Sequence, residues 1–216
     1  MLQFRLFGYP VKVEWFFWIL CLVLGMRYLD AGGSVGISLF LICTVSVFCS
    51  IIWHELGHAW ARKKYGAEYS EIVLHGFGGL CVGPGSFTRK QSIVISAAGP
   101  LANLAVGGVV WLVKEAYPPQ PGHLVYHETI DLLLWINVGW AIFNLLPLYP
   151  LDGGQIFASV AGPRNFRTVL WVGIILAVVL ALYSYLVRGS LFGLILLGML
   201  AWGNWQRLQG QRSQFL

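Results

Sequence analysis

The chain has 216 residues, of which 57% are hydrophobic and only 11% charged, with a net charge of +5 and a mean hydropathy of +0.71. A soluble domain is about a quarter charged, so this deficit excludes an ordinary soluble globule and points to a polytopic membrane protein. In such a protein the basic excess marks cytoplasmic loops rather than a nucleic-acid surface. Four cysteines with no CxxC spacing indicate neither a disulfide framework nor a cysteine metal site.

Six apolar segments are predicted, at roughly 13–29, 35–61, 92–113, 130–148, 168–187 and 190–205; a bilayer core of about 30 Å needs around 20 helical residues. The first has signal-peptide features, with Arg5 and Lys12 ahead of it and Ala31-Gly32-Gly33 behind. Its crowding with Trp15, Phe16, Phe17 and Trp18 favours a retained span. The second carries His54, Glu55 and His58 in "WHELGHAWARKK". Between spans two and three, "AEYSEIVLHGFGGLCVGPGSFT" holds two short β-prone pieces around glycines. "YPPQPGH" after span three is a turn-rich loop, and "VRGS" joins spans five and six in a tight hairpin. The expected fold is an all-α polytopic membrane protein of six transmembrane helices. A small membrane-associated β segment lies between spans two and three, within a single domain over residues 1–216.

Orientation follows from the basic residues. With a cytoplasmic N-terminus, Arg5, Lys12, Arg62, Lys63, Lys64, Arg89, Lys90, Arg164, Arg167, Arg207 and Arg212 fall inside. Only Arg27, Lys114 and Arg188 of the 14 fall outside. Both termini are therefore expected in the cytoplasm. His54 lies eight residues before Arg62, about 12 Å along the helix, so the motif is at membrane depth near the cytoplasmic face.

On a helix His54 and His58 point about 40° apart while Glu55 stands to one side. This is the HExxH arrangement of two zinc ligands and a general base. Ionisable groups inside an apolar span are costly and usually functional; the alternative is a metal-free polar cluster between helices. A catalytic zinc needs a third protein ligand and an open position for water. The best candidate is Asp152 in "NLLPLYPLDGGQ", where Pro147 and Pro150 free local backbone and Gly153 and Gly154 allow close approach. Asp152 and Glu55 would also balance the two charges of the ion, easing its desolvation. Asp152 could instead cap a helix starting at Gly153. Asn103 is expected to satisfy backbone freed by Pro100, and His75 has no partner at metal spacing.

HELGHA in span two together with LDGG after span four resembles the site-2 protease family of intramembrane zinc metalloproteases. "SAAGPLANL" (96–104) and "FGYPVKVEWFF" are similar to that family's third-span signature and N-terminal entry. The resemblance implies one Zn²⁺ per chain on His54, His58 and Asp152, water activated by Glu55, and Asn144 engaging substrate near the scissile bond. Many members carry a PDZ or CBS domain; here no loop is long enough for either. The expected function is intramembrane proteolysis of transmembrane protein substrates in the lipid bilayer, under a regulatory membrane partner and with no nucleic acid. A strand edge presented by Gly78 and Gly79 would pair with the unwound peptide. The alternatives are a zinc-binding adaptor without protease activity, which the presence of Glu55 opposes, and a metal-ion carrier. A carrier would need polar residues along several spans, and spans five and six have almost none.

Overall fold

A computed structural model of the chain describes residues 1–118, 120 and 122–213, the last three by backbone alone. Pro119 and Pro121 of the turn-rich loop, and the side chain of Arg212 used in the charge count, lie outside the described residues. The chain divides into two compact units, residues 1–86 with 98–143 and residues 87–97 with 144–216.

The first unit opens with a hairpin of β1 (Leu2–Leu6) and β2 (Tyr9–Val13), turned at Phe7 and Gly8, both with positive φ. Helix α1 (Trp15–Gly25) and a 3₁₀ segment (Met26–Ala31) lead into the long helix α2 (Gly33–Lys64). Strands β3 (Glu71–His75) and β4 (Gly78–Val82) follow, then helix α3 (Arg89–Ala116), which gives its first turns to the second unit. Helix α4 (Leu124–Leu134) runs through a π-helical stretch (Trp135–Gly139) into the short α5 (Trp140–Asn144).

The β segment expected between spans two and three proves to be half of a four-stranded sheet in the order β1-β2-β3-β4. The N-terminal hairpin supplies the other half, and β2 runs parallel to β3 with Val11 opposite Ile72 and Val13 opposite Leu74. All four side chains are buried, in one cluster with Phe17, Ile51 and Leu56. Alternation along β2 thus turns one face of the sheet onto α1 and α2, while β1 and β4 form its edges. A Lys12–Glu71 ion pair of 2.6 Å ties β2 to β3.

In the second unit, α6 (Asp152–Ala161) precedes α7 (Phe166–Leu186) and α8 (Leu191–Ser213). Leu170, Gly173, Ala177 and Ala181 of α7 are buried, as are Leu197, Ala201, Asn204 and Leu208 of α8. Spacings of three and four place each set on one helical stripe. The "VRGS" turn closes through the Ser190 N–H donating to the Ser184 carbonyl, with Gly189 at positive φ.

Among the described residues, three helical segments are long and apolar enough to cross a membrane: Gly33–Lys64, Arg89–Ala116 and Pro163–Leu186. The remaining apolar runs take other forms. The run at 13–29 becomes a strand end, an 11-residue helix and a 3₁₀ segment. That at 130–148 is interrupted by the π stretch and leaves helical geometry after Asn144. That at 190–205 lies in α8.

Candidate active site

Helix α2 carries His54, Glu55 and His58, all buried, two turns before its basic end. The imidazole rings stand 4.8 Å apart at centroid and nearly perpendicular, so the i, i+4 spacing does bring two nitrogens to one place. Several contacts fix this stretch of α2. One turn earlier, the Ser50 hydroxyl donates to the side-chain oxygen of Asn137 at 3.2 Å, and the Asn137 amide donates to the Leu133 carbonyl at 2.9 Å. Asn137 lies in the π stretch, so the break in the fourth apolar run turns a polar side chain toward α2. Two turns later, the Arg62 guanidinium donates to Ser70 at 3.0 Å and to the Gly83 carbonyl at 2.6 Å, fastening the sheet to the helix end.

Helix α3 approaches α2 through small residues, as membrane helices commonly do. The Trp53 indole donates to the Ala102 carbonyl at 3.2 Å, and a methyl group on Gly57 would lie 2.6 Å from the Ala98 carbonyl oxygen. Gly99 matters most. A methyl group there would lie 2.7 Å from His54 Nε2 and closer still to His58 Nε2. The glycine of "SAAGPLANL" therefore keeps clear the space onto which both imidazoles open. Asn103, one turn on, is fully buried, and its amide makes no hydrogen bond among the described residues. The expectation that it satisfies backbone freed by Pro100 is not met.

The Glu55 carboxylate meets the edge strand. A methyl group on Gly79 would lie 2.5 Å from Glu55 Oε1, and one on Gly78 (φ +122°) 2.7 Å from the Trp140 ring. Both glycines thus let β4 lie close against its neighbours. Burial, with the Glu55 charge adding to it, pushes the nearby Cys81 thiol up to about 12, so it stays protonated at neutral pH. His75 turns to the β3–β4 turn, where its Nδ1 accepts the Phe77 N–H at 3.2 Å; burial lowers its pKa, against a smaller opposing effect of Glu14.

In the second unit Asp152 is buried in the first turn of α6. The helix begins at Asp152 itself, with Leu151 in the N-cap position. Gly153 and Gly154 pack directly under the backbone of residues 145–149, the close approach their sequence suggested. Asn144 is buried at the end of α5.

The donors fit zinc. Two imidazole nitrogens sharing a tetrahedral zinc at about 2.0–2.1 Å stand roughly 3.4 Å apart, compatible with the 4.8 Å within which the donor atoms of His54 and His58 lie. The space beside them is the one Gly99 leaves open.

Two family models match the chain: Peptidase M50B-like over residues 35–136 and Peptidase family M50 over residues 120–186. A candidate zinc metalloprotease of Methanocaldococcus jannaschii is 30% identical over 152 residues, covering 62% of this chain and 78% of its own length. The chain belongs to the M50 family of zinc metalloproteases, the site-2 proteases. A candidate zinc metalloprotease of Synechocystis is 34% identical over 169 residues, 72% of this chain and 42% of its own. A zinc metalloprotease of M. jannaschii is 25% identical over 189 residues, 85% of this chain and 53% of its own. The chain thus spans about half the length of these last two relatives. Among solved structures, the site-2 protease of M. jannaschii has the same fold, with a TM-score of 0.66 at 24% identity, covering 96% of this chain and 94% of that one. As an M50 member with three long apolar helices, the protein is an integral membrane protein.

Sequence reasoning singled out His54, Glu55, His58 and Asp152, and all four are buried. It passed over Gly99 and Asn137, whose parts depend on close approach and on a π-helical turn. For Gly99 the signal was available, since a glycine before Pro100 in a membrane helix needs a reason.

Proposed function

We propose that this chain is an intramembrane zinc endopeptidase, hydrolysing peptide bonds within or near the transmembrane segments of membrane-protein substrates. The observation that carries the reading is the buried His54–Glu55–His58 group on an apolar helix, with Gly99 keeping the space before both imidazoles clear. His54 and His58 bring two imidazoles together on α2, and the aspartate of "LDGG", Asp152, is the candidate third donor. We assign them as ligands of one zinc per chain. Bound there, zinc would supply Lewis-acid chemistry, polarising the scissile carbonyl and acidifying a water.

The chain's own residues supply the rest. Glu55 takes the proton of the attacking water and returns it to the leaving amine. Its burial beneath β4 excludes bulk water and holds the carboxylate against the strand's backbone. A transmembrane helix hides its carbonyls in hydrogen bonds, so the substrate must unwind before it can react. An unwound peptide added to the free edge of β4, at Gly78 and Gly79, would run past Glu55. Asn144, at the end of the last helical turn before the loop to Asp152, is the side chain we assign to holding the peptide near the scissile bond.

The count of eleven basic residues against three supports cytoplasmic termini and an active site near the cytoplasmic face, in six membrane passes. The chain acts as one protease domain, with a regulatory membrane partner deciding when substrate enters. Zinc stoichiometry tests the assignment. Purified protein should hold one zinc per chain, lost in the His54→Ala/His58→Ala double variant and weakened in Asp152→Ala. Full zinc in the double variant would remove the basis of the reading. Normal zinc and turnover in Asp152→Ala would move the third ligand elsewhere.

A further inference from the structure

The loop that delivers Asp152 is short, carries two prolines and leaves helical geometry at Asn144. Inside the second unit a buried polar side chain reaches it from the last helix. Asn204 of α8 is fully buried, and its amide nitrogen donates to two carbonyls, that of Leu200 one turn back at 2.7 Å and that of Tyr149 in the loop. Its side-chain oxygen faces Gly173 of α7 and makes no hydrogen bond among the described residues. Both acceptors are carbonyl oxygens, so only the amide NH₂ can satisfy them. A flipped amide would set oxygen against oxygen.

The Tyr149 ring is held as well. The Arg207 guanidinium, one turn beyond Asn204, lies 5.1 Å from its centre, and Phe166 meets it edge-on at 5.3 Å. The backbone of Leu148 and Tyr149 in turn packs directly on Gly154, in the first turn of α6. The Leu151 N–H donates to the Leu148 carbonyl at 2.7 Å, and the Gln155 amide to the Pro150 carbonyl at 3.0 Å. A rigid path therefore runs from Asn204 through Tyr149 to the helix turn that bears Asp152. An asparagine in an otherwise apolar stripe is costly, and packing of α7 on α8 alone would be served by leucine.

We propose that Asn204 is a positioning residue for the metal site, clamping the Tyr149 carbonyl so that the first turn of α6 presents Asp152 in one place. This rests on Asp152 being a zinc ligand. Groups that orient metal ligands typically contribute 10–100-fold to metal affinity; acting through backbone, Asn204 should sit near the lower figure.

The experiment is a double-mutant cycle in the purified full chain, reading zinc affinity by chelator competition in Asn204→Leu, Asp152→Ala and the combined variant. Amide exchange over residues 148–155 is read in parallel without metal. Asn204→Leu should bind zinc about 10-fold more weakly and exchange faster at 148–155, with other regions and KM unchanged. Adding it to Asp152→Ala should cost nothing more, because its only route is through that carboxylate. Wild-type zinc affinity in Asn204→Leu, or a full additional loss on top of Asp152→Ala, would overturn the proposal. Normal zinc binding in Asp152→Ala alone would instead fault the ligand assignment, and amide exchange would still report whether the clamp exists. Should Asn204→Leu fail to accumulate, Asn204→Ser carries the same test: one donor remains, and zinc affinity should fall by less than 10-fold. No change in either zinc affinity or exchange with Ser would equally overturn it.

Discussion

Adding one methyl group at Gly99 should separate zinc binding from folding. The new carbon would lie 2.7 Å from His54 Nε2, where ordinary contact begins at 3.4 Å, so that ring must retreat by about 0.7 Å. The His58 ring, closer still, must move further. Metal–ligand distances hold to about ±0.2 Å, so the displacement is several times what the coordination tolerates, and Gly99→Ala should lower zinc affinity by at least 100-fold. Stability of the metal-free protein should move the other way. Alanine is favoured over glycine in a helix by about 1 kcal/mol, and the atoms in the way are the far ends of two imidazoles rather than backbone. The assay pairs zinc retention during dialysis against a graded chelator with thermal unfolding of the metal-free protein. A Gly99→Ala protein that holds zinc as tightly as wild type would refute the placement of the metal before Gly99. Joint loss of zinc and of metal-free stability would mean that the glycine serves helix packing alone.

Other expectations follow from the same contacts. Gly79→Ala should keep its zinc and lose most of its turnover, since the new carbon would press on Glu55 Oε1 from 2.5 Å; unchanged turnover would show that β4 does not set the carboxylate. Gly78 is a poorer position for such a test, because its φ of +122° strains any L residue. Asn103→Leu should unfold at the same or a higher temperature, because a buried amide without a partner costs about 1–3 kcal/mol, and a clear drop would reveal a partner for it. A reporter active only in the cytoplasm should work at the C-terminus and within residues 66–90, and be silent within 116–128; activity at 116–128 would overturn the six-pass orientation.

What the sequence made legible was whatever broke its own pattern. Three ionisable residues in an apolar run marked the candidate site, and the long run around them anticipated α2 to within a turn at each end. The N-terminal strands stayed hidden because β2 runs almost directly into α1, so that its last residue, Val13, was counted into the first apolar run. The helix α6 was foreshadowed only as the helix starting at Gly153 that Asp152 could cap, and it begins one residue earlier. Polar residues whose partners are remote left no spacing to read. Asn137 meets Ser50 across 87 positions and Asn204 meets Tyr149 across 55. Spans five and six looked devoid of polar function for that reason.

The central claim is that Glu55 moves the proton in a zinc-dependent peptide hydrolysis. The direct measurement is cleavage of transmembrane peptides carrying a helix-breaking pair near their cytoplasmic end, by wild-type and Glu55→Gln protein in lipid, with zinc measured in the same samples. Both proteins should hold one zinc per chain. The wild type should release fragments cut within the apolar segment, and Glu55→Gln should be slower by about 10²–10⁴-fold, the usual contribution of a general acid–base group. Cleavage by Glu55→Gln within a factor of about two of wild type, at equal zinc content, would contradict the account.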